Sequence, residues 1–237
     1  MQRLVDAHEL LDGDLGDAAT LEGNLRDLRR INRRFGGVGL TRTALRRLWS
    51  SSSAGSEALD LLDVGTGAGD IPLALLRDGG PWERLRVTAV DSRPEVLAAA
   101  VRLAPELASL PEISLVAADG RRLPWPDGAF DVAHASLVLH HLSSRDAVAL
   151  LAELGRVSRV GIVVNDLSRS RLGWLGAVVL LRLMTRNRWT LHDGPLSVRR
   201  AWTIPEVRAL MAEAGLQPVA TVLGVAGHRW AIAAVRA

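Results

Sequence analysis

One ten-residue stretch limits what this 237-residue chain can fold into more than any other: Leu61-Leu62-Asp63-Val64-Gly65-Thr66-Gly67-Ala68-Gly69-Asp70. An apolar run ends in an acid, three alternating glycines make a bend, and a helix-compatible stretch comes next. Glycine lets a backbone turn tightly and approach a ligand closely. The carboxyl end of the first strand of a doubly wound sheet is where nucleotide-like ligands dock. The spacing Gly65-x-Gly67-x-Gly69 is not the G-x-G-x-x-G that presents a helix N-terminus to a pyrophosphate. Asp63 before the bend and Asp70 after it repel phosphate and suit a ligand with a cationic amino group.

The rest of the chain repeats the strand–helix alternation. Short apolar runs at 59–64, 86–90, 113–117, 129–135 and 160–164 read as strands, with helical stretches at 70–77, 94–103 and 144–157 between them. Pro72 is tolerated in a first helical turn, and Ser143 or Ser144 is placed to cap its helix. Thr203-Ile204-Pro205-Glu206 has capping-box spacing and opens a helix closed by Gly215. Segments 218–225 and 230–235 form a final strand pair with no helix between them, so at least one of the pair is antiparallel. Such alternation specifies a parallel α/β sheet with helices on both faces. A small polar run at 50–55 reads as a linker after an N-terminal helical segment.

Acids or small polar residues recur where these strands end. Val90-Asp91-Ser92 closes the second strand, and an acid there can accept both hydroxyls of a ribose. Ala118-Asp119-Gly120 closes the third, where an acid can bond an adenine amino group, and the fourth ends at Ser136. In this order and spacing the chain resembles a class I S-adenosylmethionine-dependent methyltransferase. The run 123–131 with Leu139-His140-His141-Leu142, and the lead-in 28–36, are similar to the ubiquinone/menaquinone-biosynthesis type. The resemblance implies a Rossmann-like, doubly wound, seven-stranded, mostly parallel sheet with a helical cap. It implies a cap segment at 1–54, the methyltransferase domain at 55–237, and a cap insert at about 168–202. It implies S-adenosylmethionine as cofactor. Asp63, Gly65, Thr66, Gly67 and Gly69 would form the loop site, Asp91 with Ser92 the ribose site, Asp119 with Gly120 the adenine site, and Ser136 would lie near the sulfonium.

Composition narrows the chemistry. There is no cysteine, tyrosine or lysine, so all 29 basic residues are arginine. Disulfides, thiolate metal sites, Cys nucleophiles, Schiff bases and the Walker lysine are excluded, and a general base must be His, Asp or Glu. The isoelectric point of 10.9 reflects the lack of groups titrating below arginine rather than a strongly basic protein, since the net charge is only +3. The N-terminus lacks an apolar signal core, and the longest apolar run, 172–181, has half the roughly 20 residues a bilayer requires. The expectation is a soluble, cytoplasmic protein.

Methyl transfer from a sulfonium is a displacement, so the protein must align the acceptor and, for a hydroxyl, remove its proton. Of the histidines, His192 is the first candidate base and His141 the second; His8, His134 and His228 read as structural or solvated. No metal is expected, because the adjacent His140 and His141 cannot face one site from a regular helix. The run 172–181 is apolar all round and should be buried or cover an apolar ligand. Residues 156–200 hold nine arginines against two acids, which suits an anionic or phenolate acceptor or a membrane surface presenting a lipid-like one. The acceptor is therefore expected to be a small aromatic, polyketide-like or quinone-like molecule, methylated on oxygen. Alternatives are methylation of a ring carbon, nucleic-acid methylation and a non-catalytic binding domain on the same scaffold. Few aromatics for base stacking, and no Asn/Asp-Pro-Pro-aromatic signature, count against nucleic acid.

Overall fold

The computed structural model describes residues 1–5, 7–51, 58–78 and 84–237. The linker expected at 50–55 falls, from residue 52 onward, outside the described residues.

Two helices precede the sheet, α1 (Ala18–Arg34) and α2 (Gly37–Ser51). Then come β1 (Ala58–Val64), α3 (Asp70–Asp78), β2 (Arg84–Asp91), α4 (Pro94–Leu103), α5 (Glu106–Ser109), β3 (Ile113–Ala117) and β4 (Phe130–Ser136). They are followed by α6 (Ser144–Val157), β5 (Ser158–Leu167), α7 (Arg171–Met184), α8 (Arg188–Arg200), α9 (Ile204–Glu213), β6 (Leu216–Leu223) and β7 (Arg229–Arg236). The strands form one sheet in the order β3-β2-β1-β4-β5-β7-β6. β7 runs antiparallel to both neighbours, as the helix-free final pair requires.

Period-two alternation sends successive strand residues to opposite faces. Leu61, Val132 and Val163 pack under α2 and α3, while Leu62, Ala133 and Val164 pack under α6 and α9. The N-terminal segment is not only a cap. Leu45 and Leu48 of α2 are fully buried against Val163, Ala231 and Ala233, so α2 covers the antiparallel half of the sheet as α3 covers the parallel half. α1 instead reaches over the carboxyl ends of the strands, where Leu21 and Leu25 meet Val96 and Ala99 of α4 and Trp189 of α8.

α8 departs from the sequence pattern. Asp193-Gly194-Pro195 reads as a turn, and a proline inside a helix removes one hydrogen bond. The helix nevertheless runs through it. Asn187 caps it by accepting from Trp189 N and Thr190 N, and buried Trp189, Asp193, Ser197 and Val198 anchor it to α1 and the N-terminus. α7 departs as well. The expected burial is absent: only Leu181 is buried, and Leu172, Leu175, Val179 and Leu183 face outward. α7 lies outside α8, and nothing among the described residues covers its outer side.

If α2 belongs to the core, Leu45→Ala should destabilise the protein by about 2–5 kcal/mol, as for a buried leucine of a sheet. Chemical denaturation should show this within one cooperative transition; a loss under about 0.5 kcal/mol would make α2 a peripheral layer.

Candidate active site

The strands end together. β1 is in register with β2 at Val64↔Val90 and with β4 at Val64↔Ala135, and β2 meets β3 at Val90↔Val116. The residues just beyond each strand therefore gather along one edge of the sheet. Asp63, Gly65, Thr66, Gly67, Asp91, Ser92, Asp119, Gly120, Ser136 and His141 all line a single cleft of about 430 Å³, within the usual range of about 300–1,000 Å³ for small-ligand sites. Two predicted site residues, Gly69 and His192, do not line it.

The loop is built as its glycines demand. Gly65, Gly67 and Gly69 all have positive φ, which a side chain would strain. A Cβ on Gly69 would stand 2.6 Å from Leu107, whereas at Gly67 the space is open. Gly67 is thus the point where the backbone faces the cleft bare. Asp91 stiffens the bend, since Oδ2 accepts from Gly67 N (3.1 Å) and Oδ1 from Arg93 N (3.0 Å). Burial raises the Asp91 pKa despite these bonds. Asp119 sits at the rim, half exposed, with Arg121 donating to it at 2.8 Å and lowering its pKa. Gly120 answers to packing, as a Cβ there would fall 2.5 Å from Val64.

Asp63 lines the cleft but is engaged by β4. Its Oδ1 lies 2.5 Å from Nδ1 of fully buried His134, which begins a continuous polar seam. Thr41 Oγ1 meets His134 Nε2 (3.1 Å), Asn165 Nδ2 donates to Thr41 Oγ1 (2.9 Å), and Arg229 Nε donates to Asn165 Oδ1 (2.6 Å). Arg229 also donates to Asn32 Oδ1 and Ser136 Oγ, both at 2.9 Å. Burial lowers its pKa to about 10, so it stays charged at neutral pH. Asn32 reaches Asp70 Oδ1 at 3.4 Å. The other oxygen, Asp70 Oδ2, is shielded and has no hydrogen-bond partner, as is Thr66 Oγ1. Both residues line the cleft.

The opposite wall is one that sequence reasoning missed. Residues 1–5 and 7–12 lie along α8 as a strap. Leu4 N donates to Arg199 O, Leu10 N and Leu11 N donate to the Asp193 carboxylate at 2.8 and 3.0 Å, and Ser197 Oγ donates to Glu9 Oε2. The strap carries Glu9 and Asp12 to the turn 139–141. There the adjacent histidines converge after all, because they occupy a 3-10 turn rather than an α-helix; their ring centroids are 4.2 Å apart. Asp166 accepts from His140 Nδ1 (2.7 Å), and Asp12 Oδ1 lies 2.9 Å from His141 Nδ1. The two Nε2 atoms stand 3.7 and 3.8 Å from the Glu9 carboxylate.

Burial raises the Glu9 pKa to about 7 against the pull of His141 and Arg200. Burial also opposes ionisation of Asp12, but His141 and Arg200 outweigh it and bring its pKa to about 2. The donor atoms of Glu9, His140 and His141 lie within 4.8 Å of one another, a span a divalent cation could bridge. Arg200 already brings positive charge there, 3.7 Å from Glu9 and 3.2 Å from Asp12. His192 stands apart, half exposed, its Nδ1 2.8 Å from Asp193 Oδ1.

A carboxylate-rimmed glycine loop on this sheet order is accompanied by direct similarity to known proteins. The model of a methyltransferase domain matches residues 61–161. A demethylmenaquinone methyltransferase of Thermus thermophilus is 33% identical over 168 residues, covering 65% of this chain and 73% of the relative. The chain belongs to the class I S-adenosylmethionine-dependent methyltransferases. Solved structures agree on the fold. A SAM-dependent methyltransferase from Aquifex aeolicus aligns with TM-score 0.61 and 19% identity, over 90% of this chain and 97% of that one. An O-methyltransferase family 2 protein from Planctomyces limnophilus, solved with apigenin, aligns with TM-score 0.67 and 21% identity, over 95% of this chain and 64% of that one. Among the described residues of this methyltransferase, no helix is long and apolar enough to cross a membrane.

The Asp70 carboxylate, with one oxygen unpartnered, gives a stability test. Burial raises its pKa to about 6, with the nearby Asp63 adding to the rise. A raised carboxyl pKa means the folded state holds the proton more tightly than the unfolded one, so stability falls as pH climbs from about 4 through 6. Asp70→Asn should therefore stabilise the methyltransferase at pH 7.5 by roughly 1–3 kcal/mol, and the gain should vanish below about pH 4. Thermal melts of both proteins across this range check the sign.

Proposed function

We propose that this methyltransferase transfers the methyl group of S-adenosylmethionine to a small aromatic or quinone-like acceptor, most readily at oxygen, with His141 as general base. The observation that carries the reading is the His141–Asp12 contact inside the cleft that also holds the glycine loop. The relative named a demethylmenaquinone methyltransferase and the fold neighbour solved with apigenin support a flat, ring-containing acceptor.

The residues present fit the cofactor. Asp70 Oδ2 and Thr66 Oγ1 are shielded polar atoms without partners, suited to the cationic amino group and the carboxylate of its amino-acid end. Asp91 suits the ribose hydroxyls, Ser92 adjoins it, and Asp119 with Gly120 borders the base. Gly67 allows close backbone approach. Asp63 acts one step removed, by orienting His134 beneath the loop, and Ser136 is held by Arg229 at the floor. When bound, the cofactor supplies an electrophilic methyl group and its own leaving group.

The chain must then hold the acceptor in line and take its proton. His141 is one-fifth exposed, with Asp12 at one ring nitrogen and Glu9 beyond the other. A proton taken up by the ring is held between two carboxylates. Leu11, Leu28 and Val138 line the same cleft, offer an apolar contact to a ring and exclude water. Deprotonating a ring hydroxyl also enriches the adjacent ring carbons in electrons, so the same base serves a carbon acceptor. The position of a labelled methyl group in the product separates the two outcomes.

Two results test this reading. Asp91→Ala should weaken S-adenosylhomocysteine binding by at least about tenfold in calorimetry, through loss of a charge-assisted bond and of the loop's own tether, while the protein stays folded. His141→Ala should lower turnover of a hydroxylated naphthalene by about 10²–10⁴ with cofactor affinity preserved, and Asp12→Asn should do so less severely. His192→Ala should leave turnover near that of the parent protein. Normal turnover in His141→Ala would remove His141 as base.

A further inference from the structure

The outer side of α7 carries exposed apolar side chains that nothing among the described residues covers. Leu172, Leu175, Val179 and Leu183 are 83%, 52%, 53% and 80% exposed. Their spacing of three, four and four residues puts them on one side of the helix, opposite buried Leu181. Soluble monomers expose single apolar side chains freely, but a contiguous stripe marks a contact.

We propose that α7 docks this protein onto the surface of an anionic lipid bilayer, lying in the interface plane. Charge selects this occupant. No acid occurs between Asp166 and Asp193, while Arg171, Arg182, Arg186 and Arg188 fall within that interval. Arg171 and Arg182 project near one edge of the stripe, and Arg186 comes just after its end. All three are exposed, and among the described residues none has an ion-pair partner. Apolar side chains flanked by arginines are the pattern of helices that enter the headgroup boundary, with the bases meeting anionic lipid. α7 is 14 residues long, about 21 Å at 1.5 Å per residue, too short to span a core of about 30 Å.

A second copy of the chain fits less well. A symmetric contact along α7 would bring the same unpaired arginines toward each other, and one helical stripe is small beside the roughly 800 Å² each partner buries in a stable dimer. α7 packs directly on α8, which holds the strap over the cleft, so docking would set the cleft beside the headgroup layer, where an apolar acceptor would reside. The docking stands whether or not the acceptor or the base is assigned correctly, because it rests only on the exposed leucines and arginines of α7 and its end.

The test uses the full chain and flotation with two vesicle types, phosphatidylcholine alone and phosphatidylcholine with about 30% phosphatidylglycerol. The protein should float with the anionic vesicles and stay behind with the neutral ones. Leu172→Glu with Leu183→Glu should lower the bound fraction on anionic vesicles at least about tenfold. Arg171→Gln, Arg182→Gln and Arg186→Gln combined should lower it on anionic vesicles and restore no binding to neutral ones. All these positions are exposed, so melting and S-adenosylhomocysteine affinity should match the parent and separate membrane docking from cofactor binding. Failure of the parent protein to float with either vesicle overturns the proposal, as does floating that the leucine variant leaves unchanged. A dimer in light scattering that dissociates in the leucine variant, without vesicle binding, would make the stripe a contact between copies instead.

Discussion

The structure depends on a cation buried at the end of its sheet. Arg229 has no exposed surface, yet its three donating nitrogens reach oxygens on β5, α1 and β4. Burying a guanidinium is costly unless every donor finds a partner. Here the partners belong to elements far apart in sequence, so the charge is satisfied only when all of them dock. The seam continues from Asn165 through Thr41 and His134 to Asp63, just before the glycine loop. A connected polar network in a low-dielectric core has few alternative arrangements. It ties the N-terminal helices to the sheet and holds the floor of the cleft.

On that floor the site divides into two electrostatic halves. One half is carboxylates at strand ends, spaced by the parallel register, and at the start of α3. Part of their charge is left uncompensated: Asp70 is held near pKa 6 by burial with one oxygen free. The other half is a dense arrangement of Glu9, Asp12, His140, His141, Asp166 and Arg200, in which each ring nitrogen or carboxylate faces an opposite or complementary group. Burial and pairing oppose each other within it. They leave Glu9 high and Asp12 low although only two residues separate them, because His141 and Arg200 reach Asp12 directly while Glu9 is mainly desolvated.

Much of the sheet could be read from residues alone. The strand ending at Val64, the helix at Ser144 with Ser143 as its cap, the capping box at Thr203 and the antiparallel last pair follow from short-range patterns of apolar spacing, cap chemistry and turn residues. The glycine loop was legible for the same reason: its positive φ angles are a demand each residue meets by itself. What escaped was governed by contacts across long stretches of chain. Helix α8 persists through Asp193-Gly194-Pro195 because the strap and α1 hold it. His140 and His141 converge because a 3-10 turn replaces the helix that would have splayed them.

The residues by themselves determined the fold class, the edge of the sheet where a ligand can bind and the acids that rim it, since period, register and backbone freedom are local properties that a parallel sheet then aligns. They also determined that a base had to be an imidazole or a carboxylate. Tertiary structure alone decided which imidazole lines the cleft: His141 is brought there beside carboxylates from the far end of the chain, while His192 turns outward on a helix whose inner side is taken up by the strap. It decided as well that α7 keeps its leucines outside. Hydrophobicity states that such a side chain favours leaving water, but only the packing of neighbouring elements settles whether this chain supplies the cover.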